Sequence, residues 1–487
     1  LLGRQLRSAV RQAISTGEQM SKVESQPNVF DRALHVRFES DAQSGREAEA
    51  IPEGPNSRPP CAVSVDPDEE NVALAMSRTT VDELLGDFYG AYPWPWQPTT
   101  FSYVDDPRFE ATMTNQDIGD WEHNRLPENP AIWVAGCGTN QALHSALKFP
   151  HGTVTGSDVS VPSLDLAQAN AAKVGIANLT LRQESINQVE YRDQFDYIIS
   201  TGVIHHNAEP QTTLRQLSAA LKPDGILELM VYNRFHRMLN SSFQKAIRIF
   251  GEQQGTLSFE SDFQLARTVA SNFPVRNQMA QLLEENRSVP DAEFADRLIH
   301  PIEHSYTVES LEALAASCGL EILMPCISTF AKFQSPAIDW NMRFESRELQ
   351  RAYDSMPDTR RWQVSNLLLH EQSPLLWFYF QRTDCGRARK SEQQICDEFL
   401  EHAFKKSVAK QRTYIRNGDE WALAPQVVPY PFEQPEAALD EIYRLADGDN
   451  TMGRILKYVG IESTFQTVNQ TRIKLTTSSF PYLKAVK

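Results

Sequence analysis

The segment AIWVAGCGTN, residues 131–140, runs an apolar stretch directly into glycines at 136 and 138. Glycine at such a turn lets the chain pass sharply into a helix and lets a ligand approach the backbone with no Cβ in the way. Gly136, Cys137 and Gly138 therefore border a nucleotide-sized clearance. Asp158 ends the next apolar run, TVTGSD, twenty positions after Gly138. A carboxylate at the tip of a neighbouring strand can accept hydrogen bonds from both hydroxyls of a ribose. The competing role for Asp158 is to cap the helix that begins near Pro162, and Ser160 competes for that cap. His205 and His206, in GVIHHNAEP, follow the fourth run. A neutral imidazole there could take a proton from an attacking hydroxyl or amine; the alternative is that the pair caps the strand and packs beneath the next helix. His300-Pro301-Ile302-Glu303-His304 has the spacing that sets two histidines for zinc on a helix. Pro301 and the capped helix that follows Thr307 place it in a loop instead, so neither a metalloprotease nor a metal is expected.

These residues need a frame that brings their ends together. From Ala131 to Asn233 short apolar runs (AIWVAG, TVTGSDV, LTLRQE, FDYIIST, GILELMVY) alternate with helical stretches near 140–148, 162–174 and 209–221. Runs apolar on both faces and separated by helices predict a doubly wound parallel α/β sheet. A helical insertion is expected over about 234–300, followed by a helix from Val308, the strand LEILMP and the strand LLWFYFQR. The expected organisation is a mostly disordered segment over 1–79, an N-terminal aromatic cap over 80–130, the α/β domain over 131–385, and a separate α+β accessory module over 386–487. In that module two helix-like stretches joined by DGDNT precede a β-like VNQTRIKLTTS, a pattern open to a winged-helix arrangement.

Composition narrows the function classes. The chain has 487 residues and a formal charge of −16, which opposes a phosphate backbone, so no nucleic-acid partner is expected. No apolar run is long enough to span a bilayer, so no membrane role is expected. Six cysteines are scattered without paired spacing, which argues for a reducing, cytoplasmic compartment. The Arg-rich start LLGRQLRSAVRQAIST leaves a mitochondrial address as the lesser alternative.

The stretch from VAGCGTNQALHSALKFPHGTVTGSDVS through FDYIISTGVIHHNAEP to LKPDGILELMVY resembles the class I S-adenosylmethionine-dependent methyltransferases, especially bacterial ones often fused to helical repeat arrays. The likeness extends more weakly over residues 88–382, through YPWPW and HPIEHSYTVESLEALAASCGLEIL. It implies a Rossmann-like core with a lid, and S-adenosyl-L-methionine as cofactor. It places Gly136, Cys137, Gly138 and Asn140 around the methionine part and ribose, Asp158 on the ribose hydroxyls and Val159 on the adenine. Glu184 or the Ser185 amide would meet the adenine amino edge, and Thr201 and Gly202 would lie beneath the methionine portion.

Two departures from the family pattern stand out. Asn140 replaces the third glycine of the turn, and Asn is the non-glycine residue that best tolerates positive φ. Val134 replaces an acidic residue two positions before the first glycine, so another group must hold the cofactor's amino end.

On the acceptor side His205 and His206, by their place after the fourth strand, and His304, by where the resemblance puts its loop, are the catalytic candidates. Tyr232, Arg237, Tyr306 and Trp94 are the candidates for substrate contact, Arg237 having an acidic partner on the lid as its alternative. The expected reaction is methyl transfer to O, N or C of a small-molecule acceptor. Protein methylation, with the C-terminal module as protein-contact surface, and a catalytically silent cofactor-binding protein are the competing readings.

Overall fold

The computed structural model describes residues 78–93, 98–254 and 258–486. Trp94 and the segment 1–77 lie outside the described residues. A helix over Arg78–Ala91 is followed by β1 (Thr100–Val104) and a helix over Phe109–Asp117. The α/β core then runs β2 (Ala131–Ala135), β3 (Thr153–Asp158), β4 (Leu179–Gln183), β5 (Phe195–Thr201), β6 (Leu221–Val231), β7 (Leu320–Pro325) and β8 (Leu376–Arg382).

These seven strands form one sheet in the order β4-β3-β2-β5-β6-β8-β7. The first five are parallel, and β8 lies antiparallel between β6 and β7. The doubly wound sheet expected from the sequence is thus present. Ile132, Trp133, Val134 and Ala135 are fully buried, because helices cover both faces and no side of β2 meets water. The strand order reverses between β2 and β5. In open α/β sheets the crevice at that switch, beyond the carboxyl ends of the strands, is where ligands bind.

Small residues set how tightly the helices lie on this sheet. A Cβ at Gly156, in the middle of β3, would fall 2.5 Å from Ala142 Cβ in the helix Gln141–Lys148 and 2.8 Å from Leu181 Cδ2. The glycine lets that helix sit directly on the strand. The helix Val161–Val174 opens on Ser160, whose side chain accepts from the Ser163 amide, and ends at Gly175 with φ +80°.

The insertion after β6 folds as four helices, Arg234–Gln254, Phe259–Ser271, Gln278–Glu285 and Asp291–Leu298. Phe243, Ile247, Phe263, Phe294 and Leu298 gather in an apolar cluster of their own, closed by Phe88 from the helix Arg78–Ala91. The lid and the N-terminal helix therefore share one core.

Residues 386–487 pack against the large sheet. β9 (Ala403–Lys406), β13 (Asp447–Thr451) and β14 (Leu483–Ala485) make a three-stranded sheet; β10 (Ala409–Asn417) pairs with β11 (Glu420–Leu423), β12 (Val428–Tyr430) and the distant β1. Ile395, Phe399 and Phe404 belong to the same apolar cluster as the strands of the large sheet. Gln116 Nε2 donates to the carbonyls of Thr476 and Leu483. DGDNT is a strand, and VNQTRIKLTTS, read as β-like, lies largely in the helix Phe465–Thr476. Its β-branched composition is overridden by burial of Val468, Ile473 and Leu475.

Candidate active site

The glycine turn and Asp158 are built as one unit. Gly136 and Gly138 have φ of +72° and +52°, conformations that favour glycine. The amides of Gly136 and Cys137 donate to the Ser157 carbonyl at 2.8 and 2.9 Å. Gly138 N–H donates to Asp158 Oδ2 at 2.8 Å and Ser160 N–H to Oδ1 at 2.9 Å. Ser160 takes the helix cap, so Asp158 is free of that role. Its carboxylate is half-buried, and burial raises its pKa against the pull of those backbone donors. Each oxygen keeps a lone pair for a hydroxyl. Asn140 sits at φ −148°, so the left-handed tolerance expected of it is not called upon.

Around this turn the other expected cofactor residues take varied positions. Thr201 Oγ1 accepts from Gln141 Nε2 at 2.6 Å. Gly202, at φ +79°, would set a Cβ in ordinary contact with Met230 Cε at 3.8 Å. Val159 packs with Val81, Leu85 and Ile302. Glu184 Oε2 accepts from Tyr191 Oη at 2.6 Å, and Oε1 lies 3.5 Å from Arg182. Its side chain is thus engaged, and Ser185 offers its amide at the same strand end. A nucleoside with a free ribose fits the clamped carboxylate, the two left-handed glycines and the left-handed Gly202 at the tip of β5.

The residues after β5 and β6 meet a second group contributed by the lid. Ile204–His206 form a short 3-10 turn, and both histidines are buried. The His205 ring lies 3.9 Å from the Tyr232 ring and 4.3 Å from His206, centroid to centroid. Neither of its ring nitrogens has a hydrogen-bond partner among the described residues. His206 Nδ1 lies 2.9 Å from the Ile302 carbonyl, and its ring stacks 3.7 Å from His300. Burial depresses all three imidazoles, His206 to about 4, so they are neutral at pH 7. Asp296 faces them and is pushed up to about 6 by burial.

His304 holds this loop by donating its amide to the His205 carbonyl at 2.8 Å, and Tyr306 N–H donates to the Tyr232 carbonyl at 2.9 Å. Arg237 is committed elsewhere: its guanidinium makes a bidentate contact with Glu303, 2.8 Å from Nε to Oε1. The acidic partner lies on the loop after the lid. The sequence reading missed Tyr89, Asp296 and the inward placing of His300. The only local signal was the i, i+4 pair in DRLIH, hidden by Pro301 and by more than ninety residues of separation from His206.

Comparison with known proteins agrees with this geometry. Residues 135–271 match a family model described as a methyltransferase domain. An uncharacterized protein of Synechococcus is 29% identical over 253 residues, spanning 50% of this chain and 60% of that protein. The malonyl-[acyl-carrier protein] O-methyltransferase of Halalkalibacterium halodurans is 27% identical over 187 residues, 36% of this chain and 65% of its own. A ubiquinone biosynthesis O-methyltransferase of Actinobacillus pleuropneumoniae is 31% identical over 105 residues, 20% and 44% of the two chains. The chain thus spans less than two thirds of each of these relatives. The structure of PKMT2 from Rickettsia typhi in complex with AdoHcy superposes with a TM-score of 0.50 at 16% identity, over 81% of this chain and 77% of that one, a likeness of fold. The matched residues 135–271 carry the glycine turn, Asp158 and the carboxyl end of β5, and they form a domain of the S-adenosylmethionine-dependent methyltransferase type.

Proposed function

We propose that this chain moves the methyl group of S-adenosylmethionine to a nucleophilic O, N or C of a small-molecule acceptor held between the sheet edge and the helical lid. The observation that carries the reading is the pairing of the Gly138–Asp158 clamp with a buried polar wall. That wall consists of the buried His205, His206, Asp296 and His300 with the half-buried Tyr232, beyond β5 and β6. A compact acceptor bearing hydroxyl or amine groups suits it, and two relatives bear O-methyltransferase names.

When bound, S-adenosylmethionine supplies an electrophilic methyl on a sulfonium. Asp158 would hold the ribose hydroxyls beside the Gly136–Gly138 turn, and the tip of β5 at Thr201 and Gly202 would lie under the methionine part. The lid excludes water and fixes the acceptor in line. An acceptor O–H or N–H that takes up the methyl group would have to give up its proton at the polar wall beyond β5 and β6. His205, neutral and with unengaged ring nitrogens, is the group we assign to receive that proton.

The test is a screen of small hydroxyl and amine compounds for acceptor-dependent formation of S-adenosylhomocysteine, with the His205→Phe variant as comparison. Turnover that falls by about 10²–10⁴-fold in the variant, with cofactor affinity kept, is the expected result. Turnover seen only with protein acceptors would overturn the small-molecule assignment. Full activity in His205→Phe would leave alignment as the whole mechanism.

A further inference from the structure

We propose that His206, Asp296 and His300 bind a divalent transition-metal ion of the zinc type. One imidazole nitrogen from each histidine and one Asp296 oxygen lie within 4.8 Å of one another. The three residues are 3%, 4% and 0% exposed. They come from separate elements: the 3-10 turn after β5, the last turn of the helix Asp291–Leu298, and the loop that follows it. Tetrahedral ligands with bonds of about 2.0–2.1 Å stand roughly 3.3 Å apart, so no pair need close by more than about 1.5 Å.

Three features favour an ion over a plain polar cluster. The first is the orientation of the rings. Both Nδ1 atoms lie on one acceptor, the Ile302 carbonyl, at 2.9 Å for His206 and 2.6 Å for His300. The Ile302 amide also approaches His300 Nδ1, at the longer distance of 3.2 Å. A carbonyl that accepts from Nδ1–H fixes the tautomer and leaves the Nε2 lone pair for a ligand, the arrangement found behind metal-bound histidines.

The second is the state of Asp296. It is a buried carboxylate with no ion pair among the described residues; Arg297 beside it pairs with Glu293 at 2.6 Å, and Arg237 pairs with Glu303. Its hydrogen bonds, from Tyr89 Oη at 3.4 Å and Tyr232 Oη at 3.5 Å, are long. A buried charge needs closer compensation than that. The third is Tyr89 Oη, which also stands 3.2 Å from His300 Nε2. This hydroxyl spans the same two groups that an ion would join.

Two imidazoles and one carboxylate suit zinc, iron(II) or cobalt(II); magnesium and calcium prefer sites made of oxygen alone. Three protein ligands leave at least one position for water or for an oxygen of another molecule. The proposal stands on the geometry of this cluster and does not depend on methyl transfer, because its readout is metal binding.

The full chain, stripped of metal with a chelator and dialysed, is titrated with Zn²⁺ by calorimetry, and its Co²⁺ form is examined by visible absorption. We expect one equivalent of Zn²⁺ to bind. Affinity should fall in His206→Ala and Asp296→Asn by more than the roughly 10–100-fold that loss of an outer partner costs, and His151→Ala, at an exposed histidine, should leave it unchanged. The Co²⁺ form should show the visible bands of a four- or five-coordinate nitrogen and oxygen site without thiolate charge transfer. That measurement on the parent chain decides the question if the variants do not fold. No saturable binding, equal binding in all variants, or a Co²⁺ spectrum of six-coordinate or thiolate type would each overturn the proposal.

Discussion

Replacing Arg237 by Met asks whether its guanidinium serves the lid or the acceptor. Arg237 and Glu303 are 11% and 2% exposed at their side chains, and the guanidinium also donates to the Arg297 carbonyl at 3.2 Å and lies 4.3 Å from the Tyr232 ring centroid. Burial alone would raise the Glu303 carboxyl, but Arg237 and its hydrogen bonds outweigh this and hold it below the usual range. Removing one partner of a buried pair costs about 3–5 kcal/mol, because a charge is left buried without compensation. Ser241 Oγ at 3.3 Å and Gln244 Nε2 at 3.1 Å still reach Glu303, which places the expected loss near the lower end, about 3 kcal/mol.

Urea unfolding at pH 7 of the parent, Arg237→Met, Glu303→Gln and the double variant measures this loss. The double variant removes the stranded charge, so it should be more stable than Arg237→Met, with a coupling of about 0.5–3 kcal/mol. The sign with pH follows from the lowered carboxyl: the pair's contribution is full above the unfolded carboxylate range and is lost as pH falls through the folded value. A stability within about 1 kcal/mol of the parent, combined with a raised KM for the acceptor, would refute the structural role and return Arg237 to the substrate.

Three other outcomes are expected. Asp158→Ala should weaken S-adenosylmethionine binding in calorimetry by about 1.5–3 kcal/mol, through loss of charge-assisted hydrogen bonds; unchanged affinity in a folded variant would remove Asp158 from the site. Gly156→Ala should cost about 1–3 kcal/mol by overpacking against Ala142, and Ala142→Gly in the same chain should recover part of it; chemical denaturation with no change would show that the helix can retreat. Asp117, pushed up to about 6 by burial despite donors from Ser478 and Tyr379, takes a proton more readily folded than unfolded. Its contribution to stability is therefore present at low pH and lost as pH rises through 6, on the order of 2 kcal/mol between pH 4 and 7. Asp117→Asn should flatten that part of the stability–pH curve, and an unaltered slope would place the titration elsewhere.

Features written in local pattern could be read from the residues alone. Runs such as AIWVA and FDYIIST, apolar on both faces, can only be buried strands, and glycines at 136 and 138 fix the turn after the first. The sheet and the helical insertion were therefore legible from pattern, and the placing of Gly138 and Asp158 at neighbouring strand ends from spacing; the hydrogen bond between them was not. Whatever depends on distant partners came from the folded chain. Asp296 and His300 meet His206 because the lid folds back over the sheet edge, and Arg237 is claimed by Glu303 through the same return of the chain. The helix Phe465–Thr476 is helical because its buried face packs against Phe109–Asp117 and Glu392–Glu401, although its β-branched residues favour a strand. Periodicity reports which face of a segment avoids water; it does not report which segment covers that face.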